Sequence, residues 1–436
     1  MLVLSLTALS ITCLAQAPPA YRVGSLMKRE PQPIYSADPH DAWNRIFYLL
    51  FTRTVKVRLA DNFKEGAPFV PVMIMSPSSK LASAQTFERI ESGDRAIDPL
   101  YPSFFNSAGA ESALVNPEYA QLKQALEDAL GEQAARTPIQ RALMEADAWA
   151  GYDILCRYGA DVGERGGRAK ELLTLLARFI RKLALAPQEI AALPHTYAGA
   201  QRAQSLPPLF DEASGWIEVE WFPDREHDHS AGDRRAARVF VKPEAKPQQF
   251  LHNLHDLLRH NPGLSPDLTG VLDGVALVTE DLLIDSNAHV EPSPLTVDVE
   301  LRSFVKEAHG TVRTTIAEYE LSRKLLLGDP SSGGLAYVGA DEPAYLPIAG
   351  NDYTFASPTL GERIPGPPVL GSLRRRCEAC HGEGSGEFFT FARIPLPKPW
   401  RPPLVRQLRF GDDPHAGYVA ERKMKQADFK SLSWAR

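Results

Sequence analysis

The amino-acid sequence predicts an α+β fold with a helical N-terminal half, an antiparallel sheet in the middle and a loop-rich C-terminal segment. Apolar residues repeat at helical spacing to about residue 210, and from about Gly215 the period falls from 3.6 to 2. Regular patterning then fades after Leu327. With 36 prolines among 436 residues, long ordered loops are expected, because proline lacks the N–H that a helix interior needs. At roughly three times the ~150 residues usual for one domain, the chain should divide into several compact units. Apolar residues at 44% and charged residues at 23% exclude a disordered chain and a multi-span membrane protein. A net charge of −6 offers no overall basic surface to nucleic acid.

Residues 1–17 are an apolar run too short for a membrane anchor but of the right length for a signal-peptide core. Cleavage is expected after Ala15 or Ala17, which makes the protein periplasmic or otherwise exported, with no transmembrane span in the mature chain. Residues 18–38 are polar and proline-rich and read as a linker. The mainly helical region spans 39–210. Its first helix is Ala42–Thr52, with Trp43, Ile46, Phe47, Leu49 and Leu50 as the apolar face. Phe69–Met75 is strand-like. Asn116-Pro117 opens a second helix that Gly131 stops, Thr137-Pro138 opens a third running to Tyr158, and Leu172, Leu175, Leu176, Phe179 and Leu183 line a fourth that ends before Pro187.

Residues 211–327 alternate. Trp216–Phe222, Ala236–Val241, Val275–Asp285, Leu295–Val305 and Val312–Leu321 are strand candidates, and one helix is expected at Lys246–His260. The short connections favour antiparallel pairing. Residues 328–436 form a coil-rich segment that needs an organiser, and a cofactor would serve.

Residues 377–381 read Cys377-Glu378-Ala379-Cys380-His381, the C-x-x-C-H spacing of covalent haem attachment. Two thiols at this separation suit the two vinyl groups of one haem, and the next imidazole suits its iron. Here the chain resembles the c-type cytochromes, over residues 370–436 at most. The resemblance implies one covalent haem c, with Cys377 and Cys380 as thioether sites and His381 as the proximal iron ligand. Ile394-Pro395-Leu396-Pro397 matches the family's proline loop, whereas the helix that normally precedes the motif is replaced by a Pro- and Gly-rich stretch. Met424, 43 residues beyond His381, is a candidate sixth ligand, with His415 as the runner-up. An ordinary apolar role for Met424 competes with that.

Residues 371–436 hold 13 Lys and Arg against 7 Asp and Glu, so a surplus of +6 sits in a chain of net −6. Arg374, Arg375 and Arg376 suit haem propionates, and the same basic segment suits the acidic body of the chain or an acidic redox partner. Cys156 in its helical pattern reads as a buried apolar residue, and without a second C-x-x-C a zinc site lacks ligands. His252, His255 and His260, and His227-Asp228-His229, read as solvated histidines or as weak metal candidates. The expected function is periplasmic electron transfer. The alternative is a haem-dependent oxidoreductase or peroxidase whose large N-terminal region forms a substrate site.

Overall fold

The computed structural model describes residues 33–58, 72–75, 86–91, 113–133, 135–156, 158–159, 161–219, 234–244, 249–250, 272–307, 309, 312–337, 343–344, 369–372 and 414–432. The expected α+β architecture is present. Its centre is a six-stranded antiparallel sheet of β4 (Ile217–Val219), β5 (Arg235–Pro243), β6 (Leu272–Ile284), β7 (Val290–Lys306), β8 (Val312–Leu321) and β9 (Leu335–Tyr337). Strand order follows chain order, as expected where short links join successive strands. The register aligns Val239 with Leu277, Leu277 with Glu300 and Glu300 with Glu318 across four strands. At the β6–β7 turn, the Asp285 carboxylate accepts hydrogen bonds from the backbone N–H groups of Asn287 and His289 (2.9 and 2.7 Å), and Ala288 takes a positive φ of 65°.

The helices follow the apolar spacing. They are α1 (Ala42–Phe51), α2 (Glu118–Gly131), α3 (Pro138–Cys156), α4 (Glu164–Leu183), α5 (Pro187–Ala191) and α6 (Thr196–Gln204). Thr137 and Gln140 cap the start of α3 reciprocally: Thr137 N–H donates to Gln140 Oε1 and Gln140 N–H donates to Thr137 Oγ1. Leu172, Leu176, Phe179 and Leu183 of α4 are buried on one face, as their spacing predicts. Trp43 meets Phe179 edge-on at 5.9 Å, joining α1 to α4. Phe210 meets Tyr197 and Phe240 at 5.0 and 5.1 Å, joining α6 to β5.

Two expectations need correction. The linker ends sooner than residue 38, because Ile34 and Tyr35 are buried and Asn44 accepts both of their backbone N–H groups at 2.8 Å. The coil after residue 327 holds α7 (Arg323–Gly328) at its entrance and the short strands β9, β10 (Pro343–Ala344) and β11 (Val369–Ser372), so the large sheet continues past the expected boundary. Residues 414–432 fold as α8 (Pro414–Lys425) and α9 (Ala427–Ser431) where the sequence pattern leads to a basic helix over Val419–Phe429, and they pack on the body. β1 (Thr52–Arg58), β2 (Val72–Met75) and β3 (Thr86–Glu91) belong with β10 and β11 to a second sheet of order β10-β11-β2-β1-β3. The leader lies outside the described residues, as does the Lys246–His260 helix apart from residues 249–250. Among the described residues no helix is long and apolar enough to cross a membrane.

Helix α3 buries three carboxyl groups. Glu145 accepts the Ile284 N–H of β6 through Oε1, while its buried Oε2 has no hydrogen-bond partner. Asp147 binds Arg323 of α7 through both carboxylate oxygens and accepts the Tyr35 hydroxyl at 2.6 Å. Asp153 meets Lys423 of α8 and Arg234 beside β5, each at 2.9 Å. Although burial favours a neutral Arg323, Asp147 beside it holds its pKa above the ordinary value. Removing Asp147 strands a buried guanidinium, so Asp147→Ala should cost about 3–5 kcal/mol, read as a lower urea midpoint. Tyr35→Phe should cost about 1 kcal/mol.

Burial pushes the Glu145 pKa well above the usual carboxylate range, with Asp285 and Asp281 adding to the rise while the Ile284 N–H and Arg141 oppose it. A carboxyl with a raised folded pKa gives its full stabilisation below the unfolded pKa and loses it as pH rises through the folded one. Glu145→Gln keeps the acceptor for Ile284 N–H and removes the titration. Its unfolding midpoint should therefore match the parent near pH 4 and exceed it near pH 8. Parallel pH profiles for the two proteins would refute this.

Candidate functional site

Cys377, Cys380, His381 and the Arg374–Arg376 run lie outside the described residues, and the structure shows instead how the chain on either side is held. On the N-terminal side, β11 is an inner strand of the second sheet. It pairs with β2 through Val369 with Met73 and Leu370 with Val72, and with β10 through Ser372 with Pro343. Cys377 follows five residues after Ser372.

On the C-terminal side, α8 packs against β5 and β7, with Ala416, Val419 and Ala420 in the core. Lys423 is 1% exposed. Its ammonium reaches Asp153 of α3 and Asp428 of α9 at 2.9 Å each and lies 5.6 Å from the Trp149 ring. Burial favours a neutral Asp428, but Lys423 holds its carboxyl below the usual range. Tyr152 and Ser431 share a hydrogen bond of 2.7 Å, and Trp149 packs on Phe429 at 6.1 Å. Residues 373–413 therefore run between two anchored ends.

Met424 sits in α8, partly buried, with its side chain packed against the main core. His415 lies in the first turn of the same helix. Cys156 ends α3, partly buried, and burial pushes its thiol pKa up to about 12. His227, His229, His252, His255 and His260 lie outside the described residues. Sequence reasoning did not foresee the α3 carboxylates, whose partners lie 176 and 270 residues away. Nor did it foresee the trio Asp285, His289 and Glu291, whose potential ligand atoms lie within 4.8 Å of one another. In that trio Asp285 is occupied by turn hydrogen bonds and the His289 side chain is 65% exposed.

Cys377, Cys380 and His381 are therefore known only by their C-x-x-C-H spacing in the sequence, whereas Met424 lies on the described helix α8. Cys156 is no competitor, because its raised pKa leaves almost no thiolate near neutral pH. No family model, curated protein or solved structure matches the chain.

Cys156 should be chemically silent in the folded protein. At pH 8, iodoacetamide should alkylate it more than about a hundredfold more slowly than a small free thiol and at the ordinary rate in 6 M urea, as quantified by mass spectrometry. Fast labelling without urea would contradict the burial described above.

Proposed function

We propose that the protein is an exported monohaem c-type electron carrier, with haem joined to Cys377 and Cys380 and His381 as the proximal ligand. The spacing of Cys377, Cys380 and His381 is the observation that carries this reading. Bound haem supplies one-electron chemistry. The chain's own part is to hold the thiols together, orient the imidazole and tether the segment to a folded body at β11 and α8. Covalent attachment in the family that the motif resembles takes place outside the cytoplasm, and the apolar leader at residues 1–17 suits that route. Met424 is the proposed sixth ligand. It lies in a helix anchored by Lys423 and is partly buried.

Produced in a cell that matures cytochromes c, the protein should be red, keep its colour through acid-acetone extraction and give a low-spin spectrum in both oxidation states. Cys377→Ala with Cys380→Ala should yield colourless extracted protein. Met424→Leu should keep covalent haem but open the sixth position, so that the ferrous form binds carbon monoxide. A colourless parent would refute the haem assignment. A red Met424→Leu variant indifferent to carbon monoxide would refute the ligand assignment alone.

A further inference from the structure

The turn that joins β6 to β7 brings three metal-ligating side chains to one place. Ile284 and Val290 are register partners, and the next pair outward, Asp285 with His289, is closed by the Asp285 N–H donating to the His289 carbonyl at 2.8 Å. Residues directly opposite on antiparallel strands share a face, and Glu291, two residues beyond His289, shares it too. One potential ligand atom from each of the three lies within 4.8 Å of the other two. The Asp285 side chain is fully buried, Glu291 is partly buried and the His289 ring is exposed. The group therefore runs from a buried carboxylate at its floor to an open imidazole at its rim.

Its donors have lone pairs to give. Asp285 Oδ1 accepts the backbone N–H groups of Asn287 and His289, whereas Oδ2 accepts only the Asn287 side-chain amide, at 3.2 Å. A carboxylate oxygen has two lone pairs, so Oδ2 keeps one for a cation. His289 Nδ1 stands 3.9 Å from Oδ2, too far for a hydrogen bond. Two ligands of one ion bonded at ~2.1 Å lie ~3–3.5 Å apart, which a small rotation of the exposed ring supplies. Among the described residues the His289 ring has no other ion-pair partner and the Glu291 carboxylate has none. The floor is braced as well, because Ser286 N–H donates to the Leu185 carbonyl at 2.8 Å and Ala288 N–H to the Asp285 carbonyl at 2.9 Å.

A separate observation behind the turn points the same way. Glu145 of α3 is fully buried, and its Oε1 accepts the N–H of Ile284, the residue next to Asp285. Its Oε2 is buried with no hydrogen-bond partner, and the Asp285 charge acts on it unfavourably. The described cation that favours the Glu145 carboxylate is Arg141, whose guanidinium already serves the Leu183 and Ala184 carbonyls and Glu189. The donors on Asp285 itself are neutral amides, so the negative charge of this buried corner has no cation of its own at the turn.

We infer that Asp285, His289 and Glu291 bind one divalent first-row transition ion, with water in its remaining positions. An imidazole beside two carboxylates suits the series from Mn²⁺ to Zn²⁺ better than Ca²⁺ or Mg²⁺, which take oxygen ligands. Because strand register assembles the ligands, the site exists only in the folded chain, and the ion should stabilise it. The site stands apart from the haem reading, since all three ligands belong to the large sheet.

Mn²⁺ is the probe, because it is the weakest binder of the series and has little affinity for the Cys377 and Cys380 thiols. Titrated into the full-length protein near neutral pH, it should lose one equivalent of its free EPR signal, and pulsed EPR should show an imidazole nitrogen coupled to the bound ion. Zn²⁺ should displace it. His289→Ala should weaken binding at least about tenfold and abolish the nitrogen coupling, and Glu291→Gln should weaken it by a similar factor while the coupling remains. Mn²⁺ should raise the urea midpoint of the parent and leave that of His289→Ala unchanged, a comparison that also shows the variant to be folded. No binding below about 1 mM Mn²⁺, binding without nitrogen coupling, or a coupling that persists in His289→Ala would overturn the proposal.

Discussion

Three carboxyl groups buried in one helix set the terms for the rest of the molecule. Moving an ionised carboxylate out of water costs several kcal/mol even after relaxation, so α3 is tolerated only where other segments bring it partners. Each partner comes from a different place: Ile284 N–H from the end of β6, Arg323 from α7, and Lys423 from α8. These contacts are long-range by necessity, because a helix has already used its own backbone donors and neighbouring turns. The helical layer, the sheet and the C-terminal helices are therefore bound to one another by polarity as well as by the apolar core that surrounds α3.

That arrangement has a consequence for residues 373–413. The segment carries apolar and aromatic residues, among them Phe388, Phe389, Phe391 and Trp400, beside its prolines and glycines. Its ends are fixed, at β11 by ladder hydrogen bonds and at α8 by a buried ammonium between two carboxylates.

The parts legible in the sequence are those with a local cause. Alternation marked β5 to β8 within a few residues, because each is long enough to repeat the period of two. Thr137-Pro138 marked the start of α3 because its capping partner, Gln140, lies one turn away. Strands of two to four residues, such as β9, β10 and β11, carry no readable period and appeared as coil. Ile34 and Tyr35 looked like linker because their partners, Asn44 and Asp147, are recognised only after folding. The C-x-x-C-H motif was legible as chemistry because its donors are adjacent in sequence, but nothing local says which surface it rests on.

The carboxylate strip of β7 and β8 shows the same limit from the other side. In Asp298-Val299-Glu300 and Glu318-Tyr319-Glu320 the alternation correctly predicts that the acidic residues share one face and the apolar or aromatic residues the other. Its ordinary interpretation is a wet face opposite a dry one. The pattern reports only which residues face the same way, and what covers them is decided by the register of neighbouring strands and by the rest of the chain. Here the register sets carboxylate against carboxylate twice in succession, an arrangement that water alone would leave repulsive and that burial makes worse. Glu300 and Glu318 are nevertheless buried, and Arg302 donates to Glu300, so the alternation reports a shared face and not exposure to solvent.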